Sequence, residues 1–245
     1  NKYSRRNLPF VKHISTMKKV IILFLVILSN YGFSQDEELG LNKKDEKGLK
    51  QGAWVEYTPT GNALSFSTFK DNNFHGVRIK FYSDRNMMRL QEHYKNGVQH
   101  GDQFYYDTGG RLIRLETFVD GVRNGPYLTY YNTKKKKEEH NYLNGNKHGI
   151  CIWYYDDGDK MSEYTYVNGN IEGEVKNYYK GDIVKSTATF KNNEMDGTYQ
   201  EFYKEEKTLK VEGVYKVGKK EGVWTYYTPS GKKEKTEKYK NGNKI

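Results

Sequence analysis

One glycine recurs along most of the chain at an almost constant spacing. A repeat of this period is typical of arrays in which each unit contacts mainly its neighbours. The sequence therefore predicts a repeat architecture of eight units. The column glycines, 24 or 25 residues apart, are Gly52, Gly76, Gly101, Gly125, Gly149, Gly173, Gly197 and Gly222.

Aromatic residues keep register with the column glycine in every unit. The first column lies five positions after it and comprises Tyr57, Phe81, Tyr106, Tyr130, Tyr154, Tyr178, Phe202 and Tyr227. The second lies 17 or 18 positions after it and comprises Phe69, Tyr94, Phe118, Tyr142, Tyr166, Phe190, Tyr215 and Tyr239. A looser column, two after the glycine, holds Trp54, Tyr199 and Trp224 but also Cys151. We expect this single cysteine to be a packed, inert thiol.

Each unit is predicted to form two strands joined by turns. Asp157-Gly158 is typical of the mid-unit turn, and Asn96-Gly97 of the joint between units, where Asn-Gly favours positive φ at both turn positions. The fold class is therefore all-β, an extended antiparallel β-hairpin array of sixteen strands, on the order of 75 Å long at about 4.8 Å per strand. Asn72-Asn73 and Asn192-Asn193 replace Asn-Gly, and Lys134 replaces a mid-unit glycine, so less regular joints are expected there.

Composition agrees with a thin structure. Only 35% of the residues are hydrophobic and the mean hydropathy is −0.98, yet 15% are aromatic. A compact domain needs more aliphatic residues to fill its core, whereas a disordered chain has few aromatics.

The unit resembles the MORN repeat in the longer-period form of bacterial proteins. The matching elements are G-x-W-x-x-Y at Gly52–Tyr57 and Gly222–Tyr227, and Y-x-N-G-x-x-x-G at Tyr94–Gly101 and Tyr142–Gly149. The resemblance covers about residue 46 to the C-terminus. It implies a hairpin array and an interaction role. Related bacterial chains are labelled antitoxins of the YwqK type, and other members are scaffolds or membrane-associated adaptors.

The N-terminal residues indicate export. Met17-Lys-Lys precedes the apolar run Val20–Leu28, which is too short to cross a bilayer, and a small-x-small exit ends at Ser34. We expect 1–16 to be an upstream extension, 17–34 a signal peptide cleaved after Ser34, 35–45 a linker and 46–245 the repeat domain. The final compartment would be periplasmic, outer-membrane-associated or secreted.

Charge gives little support to nucleic-acid binding. The formal charge is +10, but residues 1–34 contain six of the 41 basic residues and none of the 31 acidic ones, which leaves +4. The same charge of +4 gives only weak support to the alternative of binding to an anionic membrane surface. The last strand is a candidate for edge-strand oligomerisation.

The sequence contains no recognisable catalytic motif. His75, His100 and His148 each precede a column glycine, a place that other units fill with polar turn residues. Equivalent residues of adjacent units lie roughly 10 Å apart, too far to share one zinc ion. The acidic run Asp156–Asp159 is interpreted as a turn. No enzyme activity, metal or cofactor is therefore predicted.

One further tyrosine column is a candidate interaction surface. Strand alternation places it on the sheet face opposite the first aromatic column. It either stiffens a thin sheet or forms a rigid aromatic platform for a partner. The column lies six after the glycine and comprises Tyr82, Tyr131, Tyr155, Tyr179 and Tyr203.

These features predict an exported scaffold that binds a protein or a cell-envelope polymer through its aromatic surface. The alternative functions are an antitoxin or immunity protein that neutralises a toxin by direct contact, and a peripheral binder of anionic lipid.

Overall fold

The computed structural model describes residues 40–245. The upstream extension, the signal peptide and the first part of the predicted linker lie outside the described residues. Within residues 40–245 no helix is long and apolar enough to cross a membrane.

The described chain is all-β. Its nineteen strands are β1 (Gly52–Tyr57), β2 (Ala63–Lys70), β3 (Asn73–Phe81), β4 (Met88–Lys95), β5 (Val98–Gln99), β6 (Gly101–Tyr106), β7 (Leu112–Val119), β8 (Val122–Tyr130), β9 (Lys136–Leu143), β10 (Asn146–Tyr154), β11 (Lys160–Val167), β12 (Asn170–Ile171), β13 (Gly173–Tyr179), β14 (Ile183–Lys191), β15 (Glu194–Phe202), β16 (Leu209–Lys216), β17 (Lys219–Tyr227), β18 (Lys233–Lys240) and β19 (Asn243–Lys244).

All strand pairings are antiparallel and join strands that are close along the chain, so the strands form one open meander. The predicted hairpin array is thus confirmed. The strand count exceeds sixteen because β5 and β12 are the outer parts of strands that continue as β6 and β13, with β4 and β11 as their common partners. The last short strand, β19, pairs with the end of β18.

The joints stack on one another through a repeated backbone hydrogen bond. In each joint, the second turn residue donates its N–H to a carbonyl of the joint before it. The acceptor lies two positions before the column glycine that precedes the donor. Because this bond recurs in every unit, it fixes the unit-to-unit spacing. The bonds, 2.8–3.1 Å long, are Asn72 to Lys50, Gly97 to Phe74, Gly121 to Gln99, Gly145 to Arg123, Gly169 to Lys147, Asn193 to Ile171, Gly218 to Met195 and Gly242 to Lys220.

The units without Asn-Gly have the same joint geometry as the others, which corrects the expectation of less regular joints. Asp71 and Asn72 adopt φ values of 51° and 64°, and Asn192 and Asn193 adopt 50° and 70°. The pair that fills the first joint is Asp71-Asn72, since Asn73 already begins β3. Asparagine and aspartate tolerate this left-handed region because their side chains bond the local backbone. Lys134 also adopts a positive φ of 67°.

The column glycine is required for two reasons, as Gly197 shows. Its φ is +133°, a region that side chains disfavour, and a Cβ there would lie 2.8 Å from the Cβ of Thr189 on the neighbouring strand. The pairing of β14 with β15 is interrupted at this position, between Ala188 and Phe190. The glycine therefore accommodates a recurring bulge.

The two faces of the sheet carry different residues. Directly paired residues share a face. We call one face the ladder face; it carries the second aromatic column together with the column two after each glycine. Residues that pair across successive strands form rows on this face, and two of these rows are used below. The central row includes Cys151, Tyr164, Val175, Ala188, Tyr199, Gly213 and Trp224. The second row includes Trp153, Ser162, Asn177, Ser186, Glu201, Val211 and Tyr226.

Among the described residues, the opposite face carries a buried hydrophobic cluster in the N-terminal half. Phe104, Tyr106 and Leu115 form a buried cluster there, and Ile79 is also buried. The equivalent positions of later units hold polar residues, for example Lys176 paired with Glu163 and with Thr187, and Gln200 with Thr187 and Glu212. The C-terminal half therefore depends on its ladder face for packing.

A short segment covers the first edge of the sheet. Leu41 is buried, and the amide of Asn42 donates to the carbonyl of Ala53. The side-chain oxygen of Asn42 accepts from the amide of Val55 at 2.8 Å. The packed edge thus includes residues that the sequence assigned to the linker, and it shields β1 from strand pairing.

Candidate functional site

The candidate tyrosine column is tied into the array by its hydroxyl groups. Each hydroxyl donates to the main-chain carbonyl of the first-column aromatic in the next unit. Each ring is half-buried. The bonds are Tyr82 to Tyr106 (2.9 Å), Tyr131 to Tyr154 (2.7 Å), Tyr155 to Tyr178 (3.1 Å), Tyr179 to Phe202 (3.4 Å) and Tyr203 to Tyr227 (2.9 Å).

This bonding changes what the column can offer a ligand. The hydroxyl groups connect one repeat to the next, so the rings are the part that a partner would contact. Lysine ammonium groups lie 5.6–5.9 Å from several of these rings, with Lys137 over Tyr131 and Lys180 over Tyr155. The column therefore has a structural role in stiffening the array, and its role in binding stays a prediction.

A groove on the ladder face includes one of these tyrosines. Its volume is about 460 Å³, within the range of about 300–1,000 Å³ that is usual for ligand sites. It spans the fifth to the seventh unit. Its lining residues are Tyr155, Met161, Asn177, Tyr178, Lys185, Ser186, Tyr199 and Glu201.

Small residues in two rows create this groove. In the second row, Ser162, Asn177 and Ser186 stand between the large Trp153 and the aliphatic Val211. In the central row, Ala188 is paired with Tyr199. Because the larger Trp153 and Val211 flank these residues in the second row, the depression is local to this part of the sheet.

Tyr199 forms a rigid wall of the groove. Its ring stacks on Trp224 at a centroid distance of 5.6 Å and an interplanar angle of 30°. The indole reaches it across Gly213, where a Cβ would lie 2.3 Å from the indole ring. Burial, with Glu201 nearby, raises the pKa of Tyr199 to about 12. The small residue Ala188 lies on the opposite side of Tyr199 in the same row.

The polar groups of the groove are a neutral pair, a compensated carboxylate and the ammonium group of Lys185. Asn177 donates from Nδ2 to Ser186 Oγ at 3.1 Å. Glu201 accepts from Lys210 Nζ at 2.7 Å, and the hydroxyl of Tyr199 lies 3.4 Å from its other oxygen. The groove therefore presents aromatic rings, neutral hydrogen-bonding groups and one ammonium group, that of Lys185, with its carboxylate already compensated.

The histidines and the acidic turn that were weighed as metal ligands from the sequence lie close to other side chains of the protein. His75 Nδ1 lies 3.0 Å from Asn96 Oδ1, and His100 Nδ1 lies 3.2 Å from Asp120 Oδ1. Asp157 forms an ion pair with Lys180 at 2.8 Å, within the predicted turn. Across residues 40–245 no group of three or more His, Cys, Asp or Glu side chains is placed to hold a metal ion.

Cys151 behaves as the sequence predicts. It is fully buried in the central row, and burial raises the pKa of its thiol to about 11. A protonated, inaccessible thiol is a poor nucleophile.

Two buried carboxylates in the central row were missed by sequence reasoning. Glu116 is 2% exposed and accepts from Arg123 Nε at 2.8 Å, while Arg114 Nη2 lies 3.5 Å away. Glu92 is 6% exposed, with Arg78 and Lys80 each 3.9 Å away. Carboxylates that are buried and paired with arginine are structural here. The pairing of each acid with a basic residue in the adjacent strand was the available signal.

A further column, two before each glycine, was also missed. Its side chains lie between second-column aromatics of successive units. The Lys220 ammonium is 4.0 Å from the ring centroid of Trp224 and 4.9 Å from that of Tyr239. Arg123 lies between Phe118 and Tyr142 in the same way. These cation–π contacts extend the aromatic ladder with basic residues, which the search for aromatic columns could not detect.

The comparisons with known proteins support the repeat and add nothing about a ligand. The sequence model of the family described as "MORN repeat variant" matches residues 147–168, 171–192 and 220–241. No curated protein matches the chain. Among solved structures, a mutant of TarM from S. aureus, in complex with fondaparinux, alpha-GlcNAc-glycerol and UDP, is 14% identical with a TM-score of 0.24. The match covers 70% of this chain but only 32% of that one, and at this score it carries no argument.

Proposed function

This chain is a MORN-repeat protein, and from that premise we propose that it is a non-catalytic binding module whose ladder face receives a protein or a cell-envelope polymer. The observation that carries the proposal is the groove between Tyr155 and Tyr199, where rigid rings and neutral polar groups converge on an accessible surface. Tyrosine gives a large contact area at a low entropic cost. An open array also suits a long ligand, since it presents surface along many strands.

Export is part of the proposal. It depends on the basic, apolar and small-residue pattern of 17–34, which is typical of a cleaved signal peptide. A protein with this leader would meet envelope polymers or extracytoplasmic proteins. An immunity role would use the same surface, with a toxin as the bound protein.

A second candidate function, binding to an anionic membrane, is supported by a row along the joints on the opposite face. Its central side chains are apolar and 40–46% exposed: Val98, Val119, Val122, Leu143 and Val167. The equivalent places toward both ends of the array carry exposed lysines: Lys70, Lys95, Lys191, Lys216 and Lys240. Apolar residues flanked by lysines can insert into a bilayer interface while the ammonium groups meet anionic headgroups.

Capture from an envelope fraction tests the leading proposal. The immobilised chain is compared with a Tyr155→Ala/Tyr199→Ala variant and with a control, Tyr82→Ala/Tyr127→Ala, which changes the same two columns outside the groove. We expect the wild type and the control to retain a common ligand that the groove variant loses, since both groove walls are removed.

The result would contradict the proposal if the groove variant captures as much as the wild type, or if the wild type retains nothing. Circular dichroism of all three proteins checks that the variants remain folded.

A further inference from the structure

We infer that the groove between Tyr155 and Tyr199 is a subsite for a neutral saccharide chain. This inference deepens the proposed function and rests on it, because it names the chemical class of the ligand. The inference uses the two rings, the neutral polar pair and the low charge of the groove.

The rings are held as flat surfaces. The hydroxyl of Tyr155 is bonded to the carbonyl of Tyr178 at 3.1 Å, which leaves its ring to contact a ligand. Tyr199 is supported by Trp224 on one side, with Ala188 on the other. The C–H face of a pyranose ring carries partial positive charge and packs against the electron-rich face of an aromatic ring. Two such rings in one groove match the flat faces of a sugar chain.

The polar pair provides both a donor and an acceptor. Ser186 Oγ accepts from Asn177 Nδ2, so the serine hydroxyl keeps its own proton to donate. Asn177 Oδ1 accepts no hydrogen bond from the described part of the chain and is available to a ligand hydroxyl. Sugar hydroxyls donate and accept at the same time, and they satisfy such a pair better than a group that can only accept.

The low charge of the groove argues against a strongly charged ligand. Glu201 is compensated by Lys210, and the Lys185 ammonium lies 5.7 Å from the ring centroid of Tyr179. A cationic polymer would meet Lys185, and an anionic one would meet a single ammonium group beside a carboxylate that is already paired. Met161 is the single aliphatic side chain in the lining, so the groove has little to offer an apolar peptide side chain. A neutral, hydroxyl-rich chain fits these conditions.

A filling substitution tests the inference without removing any ring. Ser186 is equivalent to Leu90 and Val211 in other units, so the fold accepts an aliphatic residue in this place. Ser186→Leu should therefore fill the groove and preserve the sheet. Ser65→Leu makes the same change at the equivalent position of the first unit, and it serves as the matched control.

The measurement is calorimetric titration of the purified full-length chain with cellohexaose, chitohexaose and maltohexaose. We expect at least one of them to bind. We expect Ser186→Leu and Tyr199→Ala to weaken that binding by about tenfold or more, while Ser65→Leu changes it by less than about twofold. Ser186→Val replaces Ser186→Leu if the leucine variant does not fold.

Three results would overturn the inference. They are no binding of any of the three oligosaccharides, binding that Ser186→Leu leaves unchanged, and an equal loss in Ser65→Leu. If the oligosaccharides fail but envelope capture still depends on Tyr155 and Tyr199, the ligand is of another class, such as a protein, and the proposed function stands. If that capture also fails, both are wrong.

Discussion

At the residue scale, the tyrosine column shows how one side chain can connect neighbouring repeats. The two interpretations of the sequence were a stiffened sheet and a binding platform. The hydroxyl bonds to main-chain carbonyls, 23 or 24 residues further along, give the stiffening role a direct basis. The rings remain half-buried, and the ring of Tyr155 lines the groove.

Removing one hydroxyl measures its contribution. Tyr131→Phe deletes the 2.7 Å bond to the Tyr154 carbonyl but keeps the ring. We expect the free energy of unfolding to fall by about 1 kcal/mol, the usual net value of such a bond. Urea denaturation provides the measurement. Tyr179→Phe is the matched control, since its bond is 3.4 Å long and its loss should cost less. Equal losses in both variants would contradict the assignment.

At the element scale, the joints between units determine which residues reach the surface. The second turn residue of several joints lies close to a side chain of the preceding joint: a Cβ at Gly121 would lie 3.2 Å from Val98, and one at Gly145 would lie 3.4 Å from Val122. This stacking lines up equivalent residues along one edge. The exposed apolar row and its flanking lysines follow from that regularity.

Vesicle flotation tests the membrane role of this row. Val122→Glu/Leu143→Glu introduces charge at the centre of the row, where it should repel anionic phosphatidylserine vesicles and resist insertion. We expect the vesicle-bound fraction to fall several-fold. Ile150→Glu/Val223→Glu is the control, since both residues are also exposed, at 54% and 57%, but lie away from the joints. An equal fall in the control, or no wild-type flotation at low salt, would remove this candidate function.

At the scale of the whole molecule, the two halves of the array are stabilised differently. The N-terminal half combines a buried hydrophobic cluster on the opposite face with buried ion pairs on the ladder face. The C-terminal half depends on stacked rings such as Tyr199 and Trp224. Many tyrosines in both halves have a raised pKa, and burial is the main cause at Tyr105 and Tyr199, where it raises the pKa to about 12.

This shift predicts sensitivity to alkali. An unfolded tyrosine ionises near pH 10. Below that pH both states are protonated, and the stabilising contribution is intact. As the pH rises from about 10 to 12, only the unfolded state ionises freely, so the free energy of unfolding should fall. Urea midpoints between pH 8 and 12 measure this fall. Tyr105→Phe/Tyr199→Phe should show a shallower decline, and an identical slope would contradict the assignment.

The sequence alone determined the repeat, its period and the hairpin meander, because glycine and aromatic residues at a fixed spacing reflect local backbone geometry that every unit must satisfy. It also predicted the packed thiol of Cys151 and the turn at Asp156–Asp159. These features depend on residues close in the chain or at equivalent places in adjacent units.

The groove was decided only by the tertiary structure. Ser162, Asn177, Ser186 and Ala188 are ordinary residues in sequence, and they form a depression only because the register of three strands places them side by side. The support of Tyr199 by Trp224 across Gly213 has the same origin. Paired strands bring together residues that are far apart in the sequence. Several small side chains form a groove only when strand pairing places them next to one another.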